Sequence, residues 1–208
     1  MPQPGRAGRP ADVAAVATLL SGMTAQPLPT GPRNRRVEDV IAPGLQILFC
    51  GINPGLYTAA VGHHFARPGN RFWKALYGAG LTPRLLAPAE QWELPALGLG
   101  ITNLADRPTA RADELTVEEL RAGRRLLEEK VRRYRPRCVA FLGLGAYGKA
   151  FGVRQPKVGP ALPLTEHTRA WVLPNPSGLN AHHQLADLVA ALRALRASLA
   201  APPPGRGA

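Results

Sequence analysis

The chain has 208 residues, 45% of them hydrophobic and 19% charged; this excludes a chain disordered throughout, and no apolar run approaches the roughly 20 residues a membrane helix needs. Lysine and arginine total 26 against 14 aspartates and glutamates, a formal net charge of +12, which favours a polyanionic partner, the alternative being a solvated basic surface. The two cysteines, Cys50 and Cys138, sit in apolar runs; they are too few for a disulfide scaffold or a zinc site and suit buried thiols in a reducing cytoplasm.

Residues 1–36 read as a flexible, basic, proline-rich N-terminal extension, with one short helix over 11–21. Ala14–Leu20, behind Arg6 and Arg9, has a faint likeness to a signal peptide, but the stretch is short and Asp12 interrupts it. The folded domain is expected over 37–200, and the APPPGRGA tail over 201–208 is expected to be disordered. Within the domain, Leu45–Cys50 is the first buried strand and ends in the turn Gly51-Ile52-Asn53-Pro54-Gly55-Leu56. Asn70–Gly78 then carries Phe72, Leu76 and Tyr77 at helical spacing. Gly100–Leu104 is the weakest strand signal. Thr116–Tyr134 is the clearest helix: Thr116 and Glu119 make a capping box, and Leu120, Leu126, Leu127 and Val131 recur on one face. Cys138–Leu142 and Ala170–Leu173 are two more apolar strands, and Gln184–Ala200 closes the domain as a helix. Near-continuous apolar strands alternating with helices predict an α/β fold of three layers, α/β/α, around a short, mainly parallel sheet.

Two strand ends rhyme. The first strand runs into Asn53-Pro54-Gly55-Leu56, and the last into Asn175-Pro176-Ser177-Gly178-Leu179. Proline keeps each preceding Asn extended, and each glycine permits a tight turn or close approach of a ligand. In an open parallel sheet the carboxyl ends of the strands border the ligand crevice, so both Asn side chains are expected at one rim. The alternative is a pair of ordinary Asx-Pro turns.

With GINPGL, FARPGNRFWK, ADRPT and WVLPNPSGL in this order, the chain from about Val37 to Leu199 resembles the mismatch-specific uracil-DNA glycosylases, relatives of thymine-DNA glycosylase. The resemblance implies the uracil-DNA glycosylase-like fold and hydrolysis of the N-glycosidic bond of a uracil flipped out of mismatched double-stranded DNA, starting base excision repair. Thymine or other modified pyrimidines are possible further substrates. By the same resemblance Asn53 positions the attacking water, Ile52 offers a backbone contact, Phe65 stacks on the flipped base, and Leu179 is the wedge that fills the vacated stack. Ser177, Gly178 and Asn180 flank that wedge on the DNA side. Tyr57 and Thr58 are expected to line the pocket near the pyrimidine C5, and Asn175 to face the same crevice. Asp106, just past the weakest strand, is the nearest carboxylate; it either assists the water or stabilises positive charge on the sugar, or else forms a salt bridge to Arg107 or a loop cap. Asn103 departs from relatives that carry Lys there. A carboxamide offers one donor and one acceptor, complementary to uracil O4 and N3–H, which raises the alternative of broader activity on U·A and single-stranded DNA.

Chemistry independent of the resemblance agrees. The target bond is inaccessible inside a duplex, so the nucleotide must be everted, at least cost from a mismatch. The departing uracil anion needs donors and a placed water more than a strong acid. No metal or organic cofactor is expected, and the pairs His63-His64 and His182-His183 make a poor ligand set; His182 or His183 could instead touch a phosphate. Gly143-Leu144-Gly145-Ala146-Tyr147-Gly148 is a literal G-x-G-x-x-G after a strand, the remote alternative of a nucleotide-binding oxidoreductase. Too little chain follows for a full dinucleotide fold, and close strand–helix packing explains the glycines equally. A DNA-binding protein without catalysis is the third reading. The expectation is a cytoplasmic, monomeric bacterial enzyme, nucleoid-associated when bound to DNA, with double-stranded DNA carrying G·U or related mismatches and downstream abasic-site repair enzymes as partners.

Overall fold

A computed structural model describes residues 35–200; the helix expected over 11–21, nearly all of the N-terminal extension and the tail over 201–208 lie outside the described residues. Five strands form one sheet: β1 (Ile47–Gly51), β2 (Leu99–Asn103), β3 (Cys138–Leu142), β4 (Gly159–Ala161) and β5 (Arg169–Leu173). Their order is β2-β1-β3-β5-β4. The first four in that order run parallel, and β4 pairs antiparallel with β5. The expected strands agree with β1, β2, β3 and β5 to within two residues. The unexpected fifth, β4, is a three-residue edge strand around Pro160; proline cannot donate to a ladder and is tolerated at such an edge.

Every residue of β1, β2 and β3 is buried, because helices cover both faces of the sheet. Side chains alternate between those faces. Ile47 and Phe49 pack with Phe72 and Leu76 of α2 (Phe72–Gly78) and with Leu188, Leu192 and Leu195 of α5 (Leu185–Ala200). Leu48 and Cys50 pack on the opposite side, with Leu120, Leu127 and Val131 of α3 (Val117–Tyr134) and Tyr147 and Ala150 of α4 (Leu144–Phe151). This is the expected three-layer α/β/α arrangement. A six-residue helix, α1 (Leu56–Val61), follows β1 directly, and a 3₁₀ segment over Pro88–Leu97 precedes β2.

The capping box of α3 is present: Thr116 Oγ1 accepts from the Glu119 N–H at 3.1 Å, and a Glu119 carboxylate oxygen accepts from the Thr116 N–H at 2.8 Å. One residue departs from the expected apolar face. Leu126 is 54% exposed, because the buried stripe runs Leu120, Gly123, Leu127, Val131. Gly123 holds the inward place for a steric reason: a Cβ there would collide with the carbonyl oxygen of Leu104. The backbone of α3 therefore lies directly on the loop that leaves β2.

Candidate active site

Strands β1 and β5 both flank β3 and run parallel to it, so their carboxyl ends open on one edge of the sheet. The two Asn-Pro corners converge over the end of β3. A Cβ on Gly143, which has φ of 137°, would meet Ile52 Cδ1 at 3.0 Å and Asn175 Cβ at 3.9 Å. Glycine is required there both by its dihedral and by this crowding.

Three backbone bonds join the first corner to the loop after β2: Leu104 N–H to Gly51 O at 2.9 Å, Ala105 N–H to Ile52 O at 2.9 Å, and Thr109 N–H to Pro54 O at 3.2 Å. This loop fixes the Asn53 carboxamide. Its Nδ2 donates to Arg107 O at 2.8 Å and to Thr109 Oγ1 at 2.7 Å. Thr109 Oγ1 in turn donates to Arg111 O at 2.7 Å. The polarity is determined. A carbonyl can only accept, and the Thr109 hydroxyl proton is committed to Arg111, so the amide nitrogen must face both partners. Asn53 Oδ1 is left with no partner among the described residues. It is a fixed acceptor, able to orient a water but far too weak a base to deprotonate one.

Two residues before Asn53, the space above Gly51 is taken up by two side chains. A Cβ on Gly51 would collide with Asn103 Oδ1 and come within 3.3 Å of Phe65 Cζ, so the missing side chain lets both groups approach the same point. Asn103 is 7% exposed, and its carboxamide makes no hydrogen bond to any described residue. Phe65 stacks on Phe72, with ring centroids 4.1 Å apart and 29° between planes. Its φ is 54°, in the left-handed region, which costs a non-glycine residue about 1–2 kcal/mol. The neighbouring His64 pins this strained geometry. The His64 N–H donates to Gln91 Oε1 at 2.8 Å, its carbonyl accepts from Trp73 Nε1 at 3.1 Å, and its Nε2 lies 2.9 Å from Glu38 O. That carbonyl can only accept, so Nε2 carries a proton.

Burial lowers the pKa of His64 from its ordinary 6.5, against the opposing pull of the Glu38 carbonyl. The unfolded imidazole therefore takes up its proton at a higher pH than the folded one. Stability is expected to be complete above about pH 6.5 and to fall as the pH drops from there toward the folded value, because the unfolded state binds more protons in that window. Thermal unfolding of His64→Gln beside the unaltered chain between pH 7 and 5 checks this: the drop across the window should shrink in the variant.

The second corner builds an exposed loop. Asn175 Oδ1 accepts from the Ser177 N–H at 2.9 Å, Asn180 Nδ2 donates to Asn175 O at 3.0 Å, and Ser177 Oγ accepts from the Leu179 N–H at 3.3 Å. Leu179 stands 68% exposed at the tip. Gly178 packs on the 67–70 loop, where a Cβ would come within 2.7 Å of Gly69 O. The Asn175 carboxamide oxygen thus serves its own turn and only its nitrogen is left over, whereas Asn53 presents its oxygen outward.

Asp106 pairs with Arg36 at 3.3 Å rather than with Arg107, and lines a cavity of about 620 Å³ against α3. Arg107 instead pairs with Glu119 at 2.6 Å, and that contact holds the Glu119 carboxyl down to about pH 2. No hydrogen bond joins Asp106 to Asn53. Thr58 is buried in α1, Tyr57 half-buried beside it, and the Ile52 side chain packs over Gly143. Two of the G-x-G-x-x-G glycines serve packing, Gly143 as above and Gly148 against Val153 O, 2.8 Å from where a Cβ would stand, while a Cβ on Gly145 would meet nothing within 4 Å. Among the described residues no three His, Cys, Asp or Glu side chains gather as a ligand set. Thr109 reads from sequence only within the ADRPT stretch and His64 only as half of a poor ligand pair on a solvated loop, yet His64 is 1% exposed and Thr109 fixes Asn53. Their roles come from partners 56 and 27 positions away, and no local pattern reports such contacts.

Comparison with known proteins bears on the family and the fold. The family model described as the uracil DNA glycosylase superfamily matches residues 38–196. A solution NMR structure of a candidate uracil DNA glycosylase from Methanosarcina acetivorans aligns with a TM-score of 0.52 at 19% identity, covering 78% of this chain and 98% of that one. At that identity the likeness is one of fold.

Proposed function

The chain belongs to the uracil DNA glycosylase superfamily, and from that premise we propose that it excises uracil from mismatched double-stranded DNA, most readily opposite guanine. The observation that carries this reading is the Asn53 carboxamide. Both of its donor positions are occupied and its oxygen is unpartnered among the described residues, an arrangement suited to holding one water at the sugar C1′. The everted uracil is placed against Phe65 and beside Asn103, at the end of β1. Stacking on an aromatic contributes about 1–3 kcal/mol per base. The glycosidic bond breaks as the sugar becomes oxocarbenium-like, the base leaves as an anion, and the water held by Asn53 adds to C1′. No proton needs to be removed from that water before attack, which is why a carboxamide suffices. Leu179 fills the gap left in the duplex, where an apolar wedge offsets lost stacking. Asp106 favours positive charge on the sugar through space; replacing it by Asn tests that.

The deciding assay incubates the full chain with labelled duplexes carrying U·G, T·G, U·A and ethenocytosine, then cleaves abasic sites with alkali. Strand breaks at U·G exceeding those at U·A support the proposal; no breaks in any duplex overturn it. Leu179→Ala is expected to slow excision from duplexes more than from single strands, measured in the same assay.

Asn103 favours a second, broader reading. A carboxamide on a residue 7% exposed, without a partner among the described residues, leaves a donor and an acceptor free beside Phe65. Uracil O4 and N3–H would satisfy both, whatever base stands opposite. Under this reading the unaltered chain also cuts U·A and single-stranded substrates, and Asn103→Ala loses them. Identical substrate profiles for the two proteins would remove it.

A further inference from the structure

Arg71, at the start of α2, reaches across to the loop that carries Leu179 and touches it along its whole length. Its backbone N–H donates to Pro176 O at 2.9 Å. One terminal guanidinium nitrogen donates to His183 O at 2.6 Å and Gln184 Oε1 at 3.2 Å; the other donates to Ser177 O and to Asn180 O at 2.8 Å. The planar fork of an arginine can serve four acceptors on two sides at once, which a lysine cannot. Apart from Arg71, what holds the loop outside itself is the packing of Gly178 on the 67–70 loop. Gly178 and Leu179 are exposed, and the loop's own bonds run among Asn175, Ser177, Leu179, Asn180 and Ala181–Gln184 rather than down to the core.

The arrangement is not the one that stability alone would choose. Arg71 Nε is buried with no acceptor among the described residues, and an unmet buried donor is a cost. Position explains it better. The next residue, Phe72, is the ring on which Phe65 stacks, so Arg71 joins the Phe65–Phe72 pair, which the reading above places against the base, to the exposed loop through one peptide bond. We propose that Arg71 is a positioning residue: it sets the distance and angle between the Leu179 tip and the Phe65–Phe72 pair, so that insertion of the wedge and seating of the everted base occur together. This rests on the glycosylase reading above for what the wedge does, but not for what holds the loop.

The test is a double-mutant cycle on the full chain with Arg71→Gln, Leu179→Ala and the pair, using single-turnover excision from a U·G duplex. Arg71→Gln is expected to slow excision by about tenfold or more, as loss of hydrogen bonds to a charged group would. Leu179→Ala should then cost much less in the Arg71→Gln background than in the unaltered chain, because the two residues act through one loop. Arg71→Lys should recover part of the loss. Additive effects overturn the proposal. Amide hydrogen exchange gives a readout independent of the chemistry: protection across 177–184 should fall in Arg71→Gln, and in Arg71→Lys if the first variant does not fold, while that of α3 is kept. Unchanged exchange in the loop also overturns the proposal. If the unaltered chain opens no duplex, the glycosylase reading fails, and the exchange result still decides whether Arg71 holds the loop.

Discussion

Asn53→Ala is expected to slow abasic-site formation by about a hundredfold or more, the cost typical of losing the group that places a reactant. The protein should unfold within a few degrees of the unaltered chain, because Asn53 makes two bonds, both to the loop after β2, and a net hydrogen bond contributes about 1 kcal/mol. The measurement is single-turnover cleavage of a labelled U·G duplex, with thermal unfolding as the control. A rate close to that of the unaltered chain would mean that the water is held elsewhere. A companion change separates holding the water from holding the holder. Thr109→Val keeps the volume of a residue that is 3% exposed but removes the acceptor for Asn53 Nδ2. One hydrogen bond of about 1 kcal/mol corresponds to roughly a fivefold change in rate, so this variant should fall between the unaltered chain and Asn53→Ala.

Gly123→Ala is expected to have the largest effect on stability. The added methyl would collide with the carbonyl of Leu104, and neither the helix backbone nor the loop backbone can yield as a side chain would. Overpacking of this kind costs about 1–3 kcal/mol, a fall of several degrees in the unfolding temperature. The displaced loop is also the one that presents Arg107 O and Thr109 Oγ1 to Asn53, so excision should fall with it. Leu126→Ala on the same helix is the control. Leu126 is 54% exposed, and its loss should be close to neutral in both measurements. Equal unfolding temperatures for Gly123→Ala and the unaltered chain would show that the helix can move away without cost.

Much of this was legible in the chain. Strands buried on both faces announce themselves as short apolar runs, and β3 was expected at its observed bounds because Arg137 and Gly143 bracket it sharply. The capping residue Thr116 and its partner Glu119 act within one turn, so sequence spacing suffices to find them. The meeting of the two Asn-Pro corners followed from the parallel order of the strands. What was not legible depends on groups brought together from afar. β4 has three residues and a proline, too little pattern to detect. Leu126 was expected inward because leucine is apolar, yet the inward place belongs to Gly123, whose value is the absence of a side chain against a distant carbonyl. Arg71 reads as one more basic residue until its five acceptors on the 176–184 loop are seen.

The direction of the chain Asn53–Thr109–Arg111 bears on how such a protein could become faster. An aspartate at position 53 would be the stronger base, but here it would be surrounded by lone pairs. The Arg107 carbonyl would repel it, and the Thr109 hydroxyl could turn toward it only by abandoning Arg111. The new carboxylate would be pushed toward its protonated form and would forfeit the advantage it was meant to bring. A route from carboxamide to carboxylate therefore needs its surroundings rewired first, and the single exchange leads downhill: the carboxamide is held by its neighbours rather than by its own chemistry.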